Sequence, residues 1–96
     1  MVLGRPVRKT RHWVEFYVPG LREKFGQRLR AIRLDRKLSQ EQFAELLGIS
    51  VDFLSLIERG INAPSFENLD AFSAQLKMPL SVLFDFDSTV NPSLRE

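Results

Sequence analysis

LSQEQFAELLGISVDFLSLIERG, residues 38–60, decides how this chain is read. Ser39 stands where a helix needs an N-cap, and Gln42 lies three residues on as its capping-box partner. Phe43, Ala44 and Leu47 share one helical face, and Gly48 supplies the positive φ at which a short helix stops. Ser50 is then a second N-cap, with Ile49, Phe53, Leu54 and Ile57 on an inner face and a stop at Gly60. The spacing predicts two short helices meeting at a tight turn.

The same periodicity continues on both sides. Upstream, Phe25, Leu29 and Ile32 recur at i, i+4 and i+7, one stripe of a first helix that ends at Lys37-Leu38. Downstream, Ser65 caps a fourth helix whose Phe66, Leu69, Phe72 and Leu76 are expected to face inward. Pro79 opens a last short helix carrying Leu80, Leu83 and Phe84. Five helices in this span leave little room for a sheet, so the expected class is all-α. Three zones result: a basic extension over 1–20 closed by Pro19-Gly20, a helical domain over 21–86, and a polar tail over 87–96.

Ninety-six residues make one small domain with a marginal core, for which an oligomer or bound partner is a natural source of further stability. The chain has no cysteine, hence no disulfide and no thiolate metal site. No signal-like run opens it and no stretch approaches a membrane span, so a soluble, cytoplasmic protein without a membrane partner is expected. The formal net charge of +2 conceals an asymmetry. Residues 1–38 carry eleven Lys or Arg against three acids; residues 39–96 carry three against nine. A basic half suits an anionic partner, most often nucleic acid, and equally suits a solvated helix face with a polar leader.

Enzyme chemistry finds little support. His12 is the lone histidine and has no second ligand at metal-binding spacing. Asp85 and Asp87 lack the rest of a calcium loop, most serines sit at caps, and there is no glycine-rich phosphate loop. No catalytic residue, metal, cofactor or small-molecule ligand is expected.

A short helix, a glycine turn and a second helix form a helix-turn-helix signature, a pattern shared with generic helical hairpins. Ala44 is small where the helices cross, and Leu47, Ile49, Leu54 and Ile57 lock the pair onto the first helix. Residues 26–84 add R-L-R-x-I-R in the first helix, L-S-Q-E-Q-F-A in the second, I-E-R-G after the third, A-P-S-x-x-x-L before the fourth, and P-L-S-V-L-F at the close. With these pieces the chain resembles the Cro/phage-repressor (Xre-like) helix-turn-helix family, and its size resembles the small controller proteins of restriction-modification systems.

The resemblance implies a five-helix lambda-repressor-like domain acting as a sequence-specific transcriptional regulator. In that reading a homodimer places helix 3, about 50–59, in the major groove of double-stranded DNA at a roughly palindromic operator. It also implies a buried pair between Arg33 and Glu58, and a phosphate contact from Gln40 at the start of the second helix. Ser50, Val51, Asp52, Ser55 and Leu56 fall on the outer face of helix 3, and Arg59 and Asn62 follow where phosphates are often met. Family members commonly carry Arg, Gln, Lys or Ser at the positions of Val51, Asp52 and Leu56, and the loop Gly60–Ser65 has no basic residue. Valine and leucine can pack on a thymine methyl, and a carboxylate can accept from cytosine N4. The alternative is a protein-interaction module, antitoxin-like or an accessory subunit, that keeps the fold with weak or lost base readout.

The leader also admits two readings. Arg5, Arg8, Lys9 and Arg11 suit an arm that reaches DNA, whereas the β-forming HWVEFYV of residues 12–18 suits packing on the domain or pairing between subunits. Leu80–Phe86 is the candidate dimer surface, because Val82 and Phe86 exceed what an inner face requires.

Overall fold

The computed structural model describes residues 20–87. They form α1 (Leu21–Asp35), α2 (Gln40–Leu47), α3 (Val51–Glu58), α4 (Phe66–Leu76) and α5 (Leu80–Leu83), with no strand among the described residues. The basic leader up to residue 19 and the tail from 88 lie outside them, as does His12.

Serine starts three of these helices as its spacing predicts. Ser39 Oγ accepts from the Gln42 amide at 3.1 Å while Gln42 Oε1 accepts from the Ser39 amide at 2.9 Å. Ser65 and Asn68 repeat this box at α4, and Ser50 Oγ accepts from the Phe53 amide at 3.0 Å. Each cap satisfies amides that have no partner inside the helix.

The helix ends hold a finding that apolar spacing did not mark. Gly48 (φ 78) and Gly60 (φ 77) are left-handed as expected, but Lys37 (φ 60) and Lys77 (φ 56) close α1 and α4 the same way. Beyond Lys37, Leu38 donates its amide to the Arg33 carbonyl at 3.2 Å, so the reversal is hydrogen-bonded despite its side chain.

The core comprises Phe25, Leu29, Ile32, Phe43, Ala44, Leu47, Leu54, Ile57, Phe72, Leu76 and Leu83. α1 packs on α3 and α5, α2 on α3 and α4, and α4 on α5. Phe66 overturns one expectation: it is 85% exposed rather than inward. It is the first residue of α4, and side chains on a helix lean toward its amino end. At the first turn that lean carries the ring past the packed layer. Leu69, half-buried against the core, is where the inward stripe of α4 begins.

α1 and α3 cross with their backbones nearly touching. A Cβ added to Gly26 would lie 2.2 Å from the Ile57 carbonyl oxygen and 2.9 Å from that of Glu58. Seven residues along α1, Arg33 closes a two-pronged pair with Glu58, Nε to Oε2 at 2.8 Å and Nη2 to Oε1 at 3.1 Å. Both side chains are buried, at 10% and 2% exposure. The Leu38 carbonyl accepts a third bond from Arg33 at 3.1 Å.

Two stability measurements test this crossing. Gly26→Ala must drive the helices apart and should cost ~3 kcal/mol or more, whereas Gly48→Ala meets only left-handed strain, ~1–2 kcal/mol, because no atom lies within 4 Å. Equal shifts in urea midpoint would contradict the close approach. Glu58→Ala leaves a buried guanidinium without its carboxylate and should cost ~3–5 kcal/mol, while Arg33→Met combined with Glu58→Leu should recover most of that loss. A double variant as unstable as Glu58→Ala alone would show that the pair supplies net stability rather than geometry.

Candidate nucleic-acid interface

Local chemistry fixes where α3 points. Past α2, the Gly48 and Ile49 amides both donate to the Ala44 carbonyl, at 2.9 and 3.0 Å, which sets the angle between the helices. At eight residues α3 is about 12 Å long, and a helix cross-section of ~10–12 Å is what a major groove ~12 Å wide admits. Beyond it the Gly60 amide donates to Ile57 O at 2.9 Å, and the Ile61 and Asn62 amides to Leu56 O at 2.9 and 3.2 Å. The turn carrying Arg59 and Asn62 is therefore tied to α3 by its own backbone.

The residues singled out from the sequence divide into two groups. Ser50, Asp52, Arg59 and Asn62 are exposed at the ends of α3 and in the following turn. Val51, Ser55 and Leu56 are half-buried, and Val51 packs against the core, so it is less an outward residue than the helical spacing implies. Gln40, first residue of α2, is half-buried and donates from Nε2 to Glu58 Oε1 at 3.1 Å. An amide nitrogen carries two hydrogens, so Gln40 holds Glu58 with one and retains the other. Asp52 sits in the first turn of α3, as Glu41 and Glu67 do in α2 and α4. At the positive end of a helix dipole an acid is stabilising whatever else it does.

Sequence reasoning missed how much of the basic half is engaged by the fold. Of the seven Lys and Arg between residues 20 and 38, four arginines bind acceptors of the fold. Arg28 is buried and donates to the Val82 carbonyl from Nε and Nη2, at 3.0 and 2.8 Å. Arg36 meets the Leu76 carbonyl at the end of α4 at 2.8 Å, Arg22 meets Ile61 O at 3.2 Å, and Arg33 holds Glu58. Lys24, Arg30 and Lys37 are exposed. The signal was present for Arg28, which falls between Phe25 and Ile32 on the apolar stripe of α1. Gly26 was readable likewise, preceding Leu29 and Arg33 at i+3 and i+7.

Among the described residues no three His, Cys, Asp or Glu converge to hold a metal ion. No helix there is long and apolar enough to cross a membrane.

A helix-turn-helix family model matches residues 29–83, more than half of the chain. The immunity repressor of Bacillus phage phi105 is 35% identical over 71 residues, which is 74% of this chain and 49% of the repressor. The crystal structure of the restriction-modification controller protein C.AhdI from Aeromonas hydrophila superposes with a TM-score of 0.60 at 37% identity, covering 65% of this chain and 94% of the controller. The clp gene regulator ClgR from C. glutamicum gives a TM-score of 0.65 at 30% identity over 72% of this chain and 90% of that structure. The chain thus spans about half the length of the phage repressor and nearly all of the solved controller. By its matched residues and its all-helical architecture, this chain belongs to the Cro/phage-repressor (Xre-like) helix-turn-helix family.

Proposed function

We propose that this protein is a sequence-specific DNA-binding transcriptional regulator that enters the major groove with α3. The observation that carries the reading is the presentation of that helix. Its amino end and following turn expose Ser50, Asp52, Arg59 and Asn62, while its inner face is locked by Leu54, Ile57 and the buried Glu58. A rigid short helix with hydrogen-bonding groups at its leading end is what base-edge readout requires. The relatives support the same reading, since they include a phage immunity repressor and a gene regulator.

In this reading Ser50, Asp52 and Ser55 address base edges, with Val51 and Leu56 supplying apolar contact where they emerge beside them. Gln40, Arg59 and Asn62 address phosphates on either side. Double-stranded DNA is the partner, and a homodimer on a roughly palindromic operator is the assembly. Leu80, 43% exposed, and the half-buried Val82 support a dimer surface on α5. Phe86 contributes less than its sequence position suggests, because its ring lies 5.6 Å from that of Phe84 and packs against the core.

Selection from a pool of random duplexes, repeated over a salt series, tests the proposal. Enrichment of one motif is expected. Arg59→Gln should weaken all duplexes alike and flatten the dependence of log K on log salt by about 0.9; Gln40→Ala should also act on every sequence. Ser55→Ala or Leu56→Ala should relax preference at one base position, by roughly 1–3 kcal/mol. Sequence-blind binding by the parent protein would favour the protein-interaction module instead. For the assembly, Leu80→Asp should lower the sedimentation coefficient to that of a monomer at low micromolar concentration; an unchanged profile places the interface elsewhere.

A further inference from the structure

A cleft of about 480 Å³ opens on the side of the domain formed by the start of α1, the loop before α4 and the end of α5. Its wall is mainly apolar, built by Leu21, Phe25, Pro64, Phe66, Leu69 and Phe84, with Arg22, Glu23 and Asn62 also lining it. The volume falls within the range of pockets that enclose drug-sized ligands. Two of its large side chains are conspicuously uncovered, Leu21 at 62% and Phe66 at 85% exposure. Phe84, by contrast, is anchored, with its ring 5.1 Å from that of Phe25. The cleft thus joins a fixed aromatic floor to an uncovered aromatic rim.

We propose that residues 12–18 of the same chain, HWVEFYV, fill this cleft. Two observations favour this occupant. First, Gly20 is itself part of the cleft wall, so Val18 is only two residues from it along the chain. A segment tethered that closely meets the site at millimolar effective concentration, an advantage no free partner has. Second, the segment holds Trp13, Val14, Phe16, Tyr17 and Val18, a dense supply of the apolar area such a floor takes. Residues 87–96, DSTVNPSLRE, are polar by comparison. The leader is then an integral part of the domain as far as residue 12, and only residues before it remain to act as an arm. This assignment stands apart from the DNA reading, and its test uses no duplex.

Trp13 is the sole tryptophan and the chain has no cysteine, so both reporters are clean in the full-length protein. Phe66→Glu should preserve the fold, because the ring is exposed and an acid suits the first turn of a helix. With far-UV circular dichroism unchanged, that substitution should shift Trp13 emission to the red and raise its quenching by acrylamide. Phe16→Cys paired with Phe66→Cys should be joined by a short bismaleimide within one chain, at a yield independent of dilution. Phe16→Cys paired with Ala74→Cys, at the far end of α4, should be joined several-fold less. Solvent-like Trp13 emission in the parent, or emission unmoved by Phe66→Glu, overturns the proposal. So does equal capture at both cysteine pairs. Capture between two chains overturns it too, by making a second copy the occupant.

Discussion

One buried carboxylate organises this domain. Glu58 closes α3, and its two oxygens take hydrogen bonds from Arg33 on α1 and Gln40 on α2. Three helices therefore converge on a single carboxylate, whose burial is costly unless its oxygens are paired. Gly26 makes the convergence possible, because only its missing side chain lets α1 approach the carbonyls of Ile57 and Glu58 so closely. A buried pair of this kind adds little to net stability compared with a well-packed apolar replacement. What it adds is discrimination among packings. An α3 rotated or slid along α1 would leave an unpaired charge in the core, a larger penalty than any small gain in apolar contact. The orientation of the exposed helix is thereby fixed from inside.

The same economy explains the arginines. A count of formal charge makes the first thirty-eight residues strongly basic, yet Arg22, Arg28, Arg33 and Arg36 are bound to carbonyls or a carboxylate of the fold. Arg28 and Arg36 bind carbonyls at Val82 and Leu76, so they act as clips between α1 and the carboxyl-terminal helices. An arginine held by a backbone carbonyl keeps its charge but not its reach. Among the described residues Arg28 and Arg33 are buried, Arg22 and Arg36 are exposed but tied to carbonyls, and Lys24, Arg30, Lys37, Arg59 and Lys77 are exposed. Sequence-level charge asymmetry overstated the free basic surface for this reason.

Elements written in local chemistry were legible before any coordinates. Ser39 with Gln42, Ser50 before Phe53, and Gly48 at the turn each specify a conformation through atoms only a few residues apart, and each adopts it. The buried Arg33–Glu58 pair came from family resemblance and could not have come from spacing, since its partners lie twenty-five residues apart. Phe66 was misread because a periodic pattern says which face a residue occupies, not whether anything stands opposite that face. Lys37 and Lys77 escaped because a left-handed lysine has no sequence signature; the turn is imposed by what must follow. The candidate site was legible as a stretch of chain and not as a surface. Val51 lies on the outer arc by counting, but the burial that draws it toward the core depends on neighbouring elements.

Asp52 then has a physical place in the proposed readout. An exposed carboxylate at the amino end of α3 partly neutralises the dipole that would otherwise attract a phosphate there. With that attraction reduced, the leading end of α3 is poorly suited to the DNA backbone and better suited to hydrogen-bond donors. In the major groove those are the exocyclic amines of cytosine and adenine. The proposed backbone contacts then fall to the flanks, where Gln40 Nε2 uses one of its two hydrogens on Glu58 and Arg59 and Asn62 stand exposed. In the proposed readout, an acid at the amino end of α3 with neutral and basic donors on its flanks would separate the two tasks in space, phosphate contacts holding register and α3 meeting the bases.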